Sequence, residues 1–266
     1  MSAVVSAAFD DQAIHAVLSQ TLLSGRLGGG AKLGEQKLAA VFGVTRERIR
    51  KVLHRLGHER LIEVIPNRGA YVASPSLEDA RQIFEARRIL EGGIAWRLAE
   101  SLGAEQLGQL RRHFADEERA HARHDRADSI RLSGAFHLLL AGMTGNPFVQ
   151  REMQELVSRT SMLVALLEHD GATGCGVDEH ASILKALESR NPGAAARTMI
   201  AHLSLIETRL KPRGGATPGS DVEATLKAAL DEHRQALRAP RAAARAPAAA
   251  RVRTAAPAQA RARVRG

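Results

Sequence analysis

The sequence predicts a mainly α-helical chain in two parts: a small N-terminal unit of three helices closed by one β-hairpin, then an all-α bundle of six to seven helices. Three observations predict it. Apolar residues recur at helical spacing through most of residues 9–210, one short stretch (61–73) carries a strand-turn-strand pattern, and aromatic residues make up only 3% of the 266, too few for a large sheet protein.

The elements follow in order. FDDQAIHAVLSQTLLS (9–24) places Ile14, Val17, Leu18 and Leu22 on one face behind an acidic start, and Gly25 stops it. After the Gly-rich turn RLGGGAKLG come two amphipathic segments, Glu35–Phe42 and Arg46–Glu59. Gly43-Val44-Thr45 separates them, and Thr45 is suited to cap the second. Two helices joined by a tight Gly-containing turn have the pattern of a helix-turn-helix. LIEVIPNRGAYVA then reads as strands Leu61–Ile65 and Ala70–Ala73 around a Pro-Asn-Arg-Gly turn, which makes the unit a winged helix-turn-helix. On a wheel of the second helix, Leu53, Leu56 and Val52 fall within about 60° of Ile49 and form a buried stripe. Arg46 and Arg50 lie at one margin, Glu47 and His54 on the exposed side, and Arg48 on the opposite margin. A helix anchored on one face with guanidinium forks near its start is what reading a major groove requires, although an ordinary solvated basic face has the same composition.

Ala73-Ser74-Pro75 is a linker, and Ser76 can cap a long helix with Asp79 at the capping-box position. Asn146-Pro147 and Asn191-Pro192 each supply an N-cap Asn and an N1 Pro. The predicted helices are Leu77–Ser101, Ala104–His124, Asp128–Met143, Pro147–Glu168, Asp178–Ser189 and Pro192–Leu210. Met162, Leu163, Leu166 and Leu167 read as helix core, Cys175 as a small loop residue, and Arg111-Arg112-His113 with Asp116-Glu117-Glu118-Arg119 as a solvated face. KPRGGATPGS (211–220) reads as a linker and 221–238 as a short appended helix with Val222, Leu226, Leu230 and Leu237 on one face. The Ala/Arg/Pro-rich remainder has too few large apolar residues to fold and reads as disordered. The domains are therefore 1–73, a linker at 74–76, a helical domain at 77–211, and 212–266.

Charge is unevenly placed. Residues 1–75 hold 10 basic and 6 acidic residues, 76–237 hold 20 and 23, and 238–266 hold 8 arginines and no acid. The formal +9 is thus mostly carried by the last segment, which can add affinity for a polyanion but no base readout. One cysteine excludes an internal disulfide framework and multi-Cys zinc motifs. No apolar run reaches the ~18 residues of a membrane span, and MSAVVSAAFDDQ lacks the features of a signal peptide, so the expected location is the cytoplasm, with no membrane partner.

Residues Gly25 to Val72 resemble the DNA-binding domain of GntR-type bacterial transcription regulators. The shared parts are Gly25-Arg26-Leu27, Gly30, Leu33-Gly34-Glu35, Leu38-Ala39, Gly43-Val44-Thr45-Arg46, Ile49-Arg50, Leu53, Leu56 and Asn67-Arg68-Gly69-Ala70-Tyr71-Val72. The chain departs at Gly29, where the family usually has Pro, and at Glu47-Arg48. The resemblance implies DNA contacts from Glu35, Thr45, Arg46, Glu47, Arg50, Asn67, Arg68 and Gly69, and a two-fold operator in double-stranded DNA read by a homodimer.

His137, His180 and His202 each sit beside apolar positions on a different predicted helix, and three imidazoles converging in a bundle would suit a divalent metal such as zinc. From about Leu77 to Leu210 the chain resembles the FCD domain of FadR-type members of the same family. The matching parts are Arg87-Arg88-Ile89-Leu90-Glu91, Phe136-His137 with Gly145-Asn146, Glu179-His180 and His202-Leu203. The resemblance implies that the three histidines hold a divalent ion, that Arg87 faces an effector carboxylate, and that the effector is a small organic acid. Arg87 can equally pair with Glu91 one turn on. The family's acidic ligand, four residues before the first histidine, is replaced by Ser133. That leaves three readings: a three-histidine site completed by water, one completed by Asp178 or Glu179, or a metal-free pocket in which the imidazoles bind the effector.

The function expected is a ligand-responsive, DNA-binding transcriptional repressor. A sequence-blind DNA-coating protein using the arginine-rich end is the alternative. A three-histidine metalloenzyme lacks any HExxH or other catalytic pairing, so no enzyme is expected.

Overall fold

A computed structural model describes residues 10–168, 176–211 and 221–238. The expectations for Cys175, for the linker at 212–220 and for the segment 239–266 lie outside the described residues.

Among the described residues ten helices and three strands follow in chain order: α1 (Asp11–Leu23), β1 (Lys32–Leu33), α2 (Glu35–Phe42), α3 (Arg46–His58), β2 (Ile62–Ile65), β3 (Gly69–Val72), α4 (Leu77–Ser101), α5 (Ala104–Ala122), α6 (Arg126–Met143), α7 (Pro147–Leu167), α8 (Val177–Glu188), α9 (Pro192–Arg209) and α10 (Val222–Arg238).

The helix starts are capped as their sequences require. Asp10 accepts from the Ala13 amide at 2.7 Å, Asn146 from Phe148 at 3.0 Å and Asn191 from Ala194 at 3.0 Å. Ser76 and Asp79 form a reciprocal capping box: the Asp79 amide donates to Ser76 Oγ at 3.0 Å and the Ser76 amide to Asp79 Oδ2 at 2.8 Å. α6 starts two residues earlier than predicted because Asp125, not a later residue, caps it by accepting from the Asp128 amide.

In the N-terminal unit α1, α2 and α3 enclose Ile14, Leu18, Leu22, Leu38, Ile49 and Leu56, all at most 1% exposed. The sheet has three strands, in the order β1-β3-β2, not the two predicted. Lys32 and Leu33 pair antiparallel with Tyr71 and Ala70. Two residues are too few to show an alternation, but Leu33, 1% exposed, pins the Gly-rich turn to the core. Gly29, where the family has Pro, lies against the linker: a Cβ there would stand 2.9 Å from Ser74 Oγ.

The helical domain is built around α4, which packs most extensively on α9 and also on α6, α7 and α8. Phe84, Phe136, Met153, Leu163, Ile183, Met199 and Leu203 fill its core with 0% exposure. The two units touch directly, since α1 packs on α6 and α7. Met162 and Leu163 are buried as expected. Among the described residues no helix is long and apolar enough to cross a membrane.

The capping box holds the start of α4 at the junction between units. Ser76→Ala is expected to cost about 1 kcal/mol, read as a lowered chemical-denaturation midpoint, with Ser76→Asp close to the parent.

Candidate functional site

The first candidate site is the exposed face of α3. Thr45 caps that helix, accepting from the Arg48 amide. Ile49, Val52, Leu53 and Leu56 are buried, so the opposite margins face outward. Glu35, at the start of α2, accepts from Arg50 through both carboxylate oxygens at 2.9 Å and lies 3.6 Å from Arg46. The Arg50 hydrogen bond holds the Glu35 carboxyl below its ordinary range against slight desolvation. Both arginines remain more than half exposed, so Glu35 orients their forks without covering them. Arg48 is on the other margin and pairs with Asp11 at 2.7 Å. At the wing tip Asn67 (φ 62°) and Gly69 (φ 102°) both take positive φ, which turns the exposed Arg68 outward between them. Tyr71 Oη donates to the Arg68 carbonyl at 3.1 Å.

The second site lies inside the helical domain. α6, α8 and α9 deliver His137, His180 and His202, each at most 2% exposed, to one point where a ligand nitrogen from each lies within 4.8 Å of the others. The Nε2 atoms of His137 and His202 are 3.3 Å apart. Two nitrogens bound tetrahedrally at about 2.0–2.1 Å would be about 3.3–3.4 Å apart, so this pair already has the spacing of a shared zinc.

Each imidazole is held from behind by a carboxylate. His137 Nδ1 contacts Glu91, His180 Nδ1 lies 2.7 Å from Glu117, and His202 Nδ1 lies 2.8 Å from Glu179. Burial alone would raise all three carboxyl pKa values, yet all three are lowered. Arg87 and His137 bring Glu91 to about 2. His113 and His180 lower Glu117, and His202 and Arg209 lower Glu179. Ionised carboxylates only accept, so Nδ1 of each ring donates, and in the neutral tautomer this leaves the Nε2 lone pair for a metal. The donor set therefore fits a divalent ion.

Asp178 and Glu179, the two candidates for a fourth ligand, are not in the cluster. Asp178 is exposed, and Glu179 is engaged by His202 and by Arg209 at 2.8 Å. Ser133 lies one turn before His137 and lines a narrow cavity with Arg87, His137, Thr160 and Ser161. Arg87 does pair with Glu91, at 2.6 Å and fully buried. Among the described residues its Nη2 nevertheless has no hydrogen-bond partner.

Glu117 corrects the sequence reading. The Arg111–Arg119 run was expected to be a solvated face, but Glu117 is 5% exposed and receives both His180 and His113. The signal was its register: Glu117 falls seven residues after buried Leu110 and three before buried Ala120, on the inner stripe of α5.

A helix-turn-helix with an outward basic face, followed by a helical domain with a closed polar centre, defines a DNA-binding regulator with an effector domain. The comparisons agree. Residues 11–72 match the model for bacterial regulatory proteins of the gntR family, and residues 82–205 match the FCD domain. The chain is 24% identical over 202 residues to the transcriptional repressor RspR of Escherichia coli, covering 76% of this chain and 89% of that protein. It is 29% identical over 214 residues to the regulator LutR of Bacillus subtilis, covering 69% and 93%. It shares its fold with a GntR transcriptional regulator from Rhodococcus sp. RHA1, with a TM-score of 0.62 at 21% identity over 74% of this chain and 95% of that one. The protein belongs to the GntR family, with an FCD domain behind its winged helix. It is a ligand-responsive DNA-binding transcription regulator, in a family of regulators rather than enzymes.

Glu91 yields a pH prediction. Its folded value of about 2 lies below the ordinary 4.5, so it contributes stability that is complete above about pH 4.5 and lost as pH falls toward 2. Glu91→Gln should flatten that acid dependence. It should also cost about 3–5 kcal/mol at neutral pH, because Arg87 is left buried and unpaired; denaturation measured across this pH range checks both.

Proposed function

We propose that this regulator is a homodimeric repressor whose helical domain holds a divalent metal at His137, His180 and His202 and binds a small organic acid between that metal and Arg87. The observation that carries the effector reading is the Arg87 Nη2 atom, a buried guanidinium donor without a hydrogen-bond partner among the described residues, on a cavity shared with His137. A buried cationic donor of this kind is costly unless an anion completes it. With the imidazoles neutral, three carboxylates face the two guanidiniums of Arg87 and Arg209. Glu168, 0% exposed, shares Arg209 at 3.3 Å, and a dication would offset this negative excess and make the cavity more attractive to a carboxylate. When bound, the metal would supply open positions for ligand oxygens, with Ser133 offering only a neutral hydroxyl beside it.

On this reading residues 1–73 form the DNA-binding domain, 74–76 the linker and 77–211 the effector and dimerisation domain. Glu35 sets the two arginine forks, Arg46 and Arg50 reach base edges or phosphates with Thr45 and Glu47 at the same helix start, and Asn67, Arg68 and Gly69 enter the adjacent minor groove. Dimerisation is supported by large apolar side chains left outside α4 and α9: Ile89 is 71% exposed, and Trp96 and Leu205 are each 50% exposed. A second copy would cover them and place two winged helices on a two-fold operator. RspR is named a repressor, which supports repression here.

Two outcomes test this. In operator binding by fluorescence anisotropy, Arg46→Ala and Arg50→Ala should each lose about 1–3 kcal/mol, whereas Arg48→Ala, whose partner is Asp11, should lose less. Zinc added to metal-stripped protein should raise the thermal midpoint of the parent but not of His180→Ala. A small dicarboxylate or hydroxy acid should then shift operator affinity only in the metal-loaded parent; affinity indifferent to every such acid contradicts the effector reading.

A further inference from the structure

Arg209, the last residue of α9, joins the ends of two other helices. Its Nη1 and Nη2 donate to Glu179 Oε1 at 2.8 Å and Oε2 at 3.2 Å, a guanidinium fork on a carboxylate. On the other side its Nε lies 3.3 Å from Oε1 of Glu168, which is 0% exposed. Glu168 is held firmly in its turn. It is the C-cap of α7, its carbonyl accepts from Arg126 Nη2 at 2.9 Å, and it pairs with Leu210 in an antiparallel bridge. The guanidinium is thus anchored on a buried helix end and offers its fork to α8.

The start of α8 needs such a hold. It follows Gly176, which has no side chain to cap it, and its first turn carries Glu179. Of the three carboxylates behind the imidazoles Glu179 is the most open to water, with its side chain 19% exposed. A glutamate in contact with water samples several rotamers unless a partner selects one. The Arg209 fork is compatible with the rotamer that sets Oε2 2.8 Å from His202 Nδ1. Against its burial, His202 and Arg209 hold the Glu179 carboxyl below its ordinary range, so it stays an acceptor for that ring.

We propose that Arg209 and Glu168 are positioning residues of the three-histidine centre: anchored on Glu168, the Arg209 fork fixes the Glu179 carboxylate, which fixes the tautomer and rotation of His202 for a divalent ion. This positioning rests on the metal reading given above. Geometry and charge pull in opposite directions here. A guanidinium near the centre repels a dication, so its removal would tighten metal binding if charge alone mattered. Loss of the fork would weaken it. Glu168 offsets the guanidinium charge and leaves its geometry to act.

Cobalt(II), titrated into the metal-stripped full chain and followed by visible absorption, tests this. Each variant is measured well below its own thermal midpoint, so that lost stability does not read as lost affinity. Arg209→Gln and Arg209→Lys should each bind cobalt about 10–100-fold more weakly, since lysine keeps the charge without the fork. Glu168→Gln should bind roughly 3–10-fold more weakly, because Arg209 loses both its anchor and its counter-charge. Glu179→Ala should lose as much as Arg209→Gln, and the two combined no more than Glu179→Ala alone, because Arg209 acts through Glu179. Unchanged or tighter binding by Arg209→Gln overturns the proposal. So does a further loss in the double variant, which would mean that Arg209 only ties helix ends together. Parent-like binding by Glu168→Gln overturns the part given to Glu168. A parent that binds no cobalt, or binds it equally well after His202→Ala, overturns the metal reading and this positioning with it. Binding that needs His202 but is indifferent to Arg209 overturns the positioning alone.

Discussion

The helical domain depends on three carboxylates kept ionised at its centre, two of them buried and Glu179 partly so. Glu91 is 1% and Glu117 5% exposed, and an isolated buried carboxylate would take up a proton rather than bear the desolvation cost. Here each is answered by an imidazole N–H and by a second cation or ring: Arg87 for Glu91, His113 for Glu117 and Arg209 for Glu179. The same hydrogen bonds that settle the carboxylates fix the rotation of the rings. Three Nε2 atoms are thereby turned to one point, and a rigid, pre-oriented donor set binds metal with little reorganisation. Five of the helical elements are tied together in the process, because Glu91 is on α4, Glu117 on α5, His137 on α6, His180 and Glu179 on α8, and His202 on α9.

That arrangement gives the centre two physical routes to the winged helix. α4 begins at the linker and carries Arg87 about 16 Å and Glu91 about 22 Å along its axis from Ser76, so on the proposed function a shift of Arg87 toward an effector carboxylate is a shift of the rod to which the winged helix is joined. α6 carries His137 and packs on α1, the first helix of the DNA-binding unit. An effector acts through either route only to the extent that it binds one arrangement of the two units more tightly than another.

Much of this was legible in the sequence. Cap residues such as Ser76, Asn146 and Asn191 marked helix starts closely, because capping is a local rule expressed in a few adjacent residues. The His180 to His202 spacing and the position of Arg87 pointed to the centre through resemblance, and the structure brings all three histidines together. What escaped was non-local. β1 is two residues long and exists only because β3 passes beside it. Glu117 looked like one more charge in a charged run, and its partners are 63 and 4 residues away on other turns and helices. The docking of α10 on α1 and α2 could not be read from its apolar stripe, which shows that a face is buried but not against what.

On the proposed function the three imidazoles form a preset metal centre. Anomalous diffraction from zinc-soaked crystals, recorded on both sides of the zinc edge, tests it most directly. One anomalous peak per chain is expected, at about 2.0–2.1 Å from Nε2 of His137, His180 and His202, with Glu91, Glu117 and Glu179 still bound to Nδ1. No peak at that point, or a peak bound through Nδ1 with the carboxylates displaced, would contradict it.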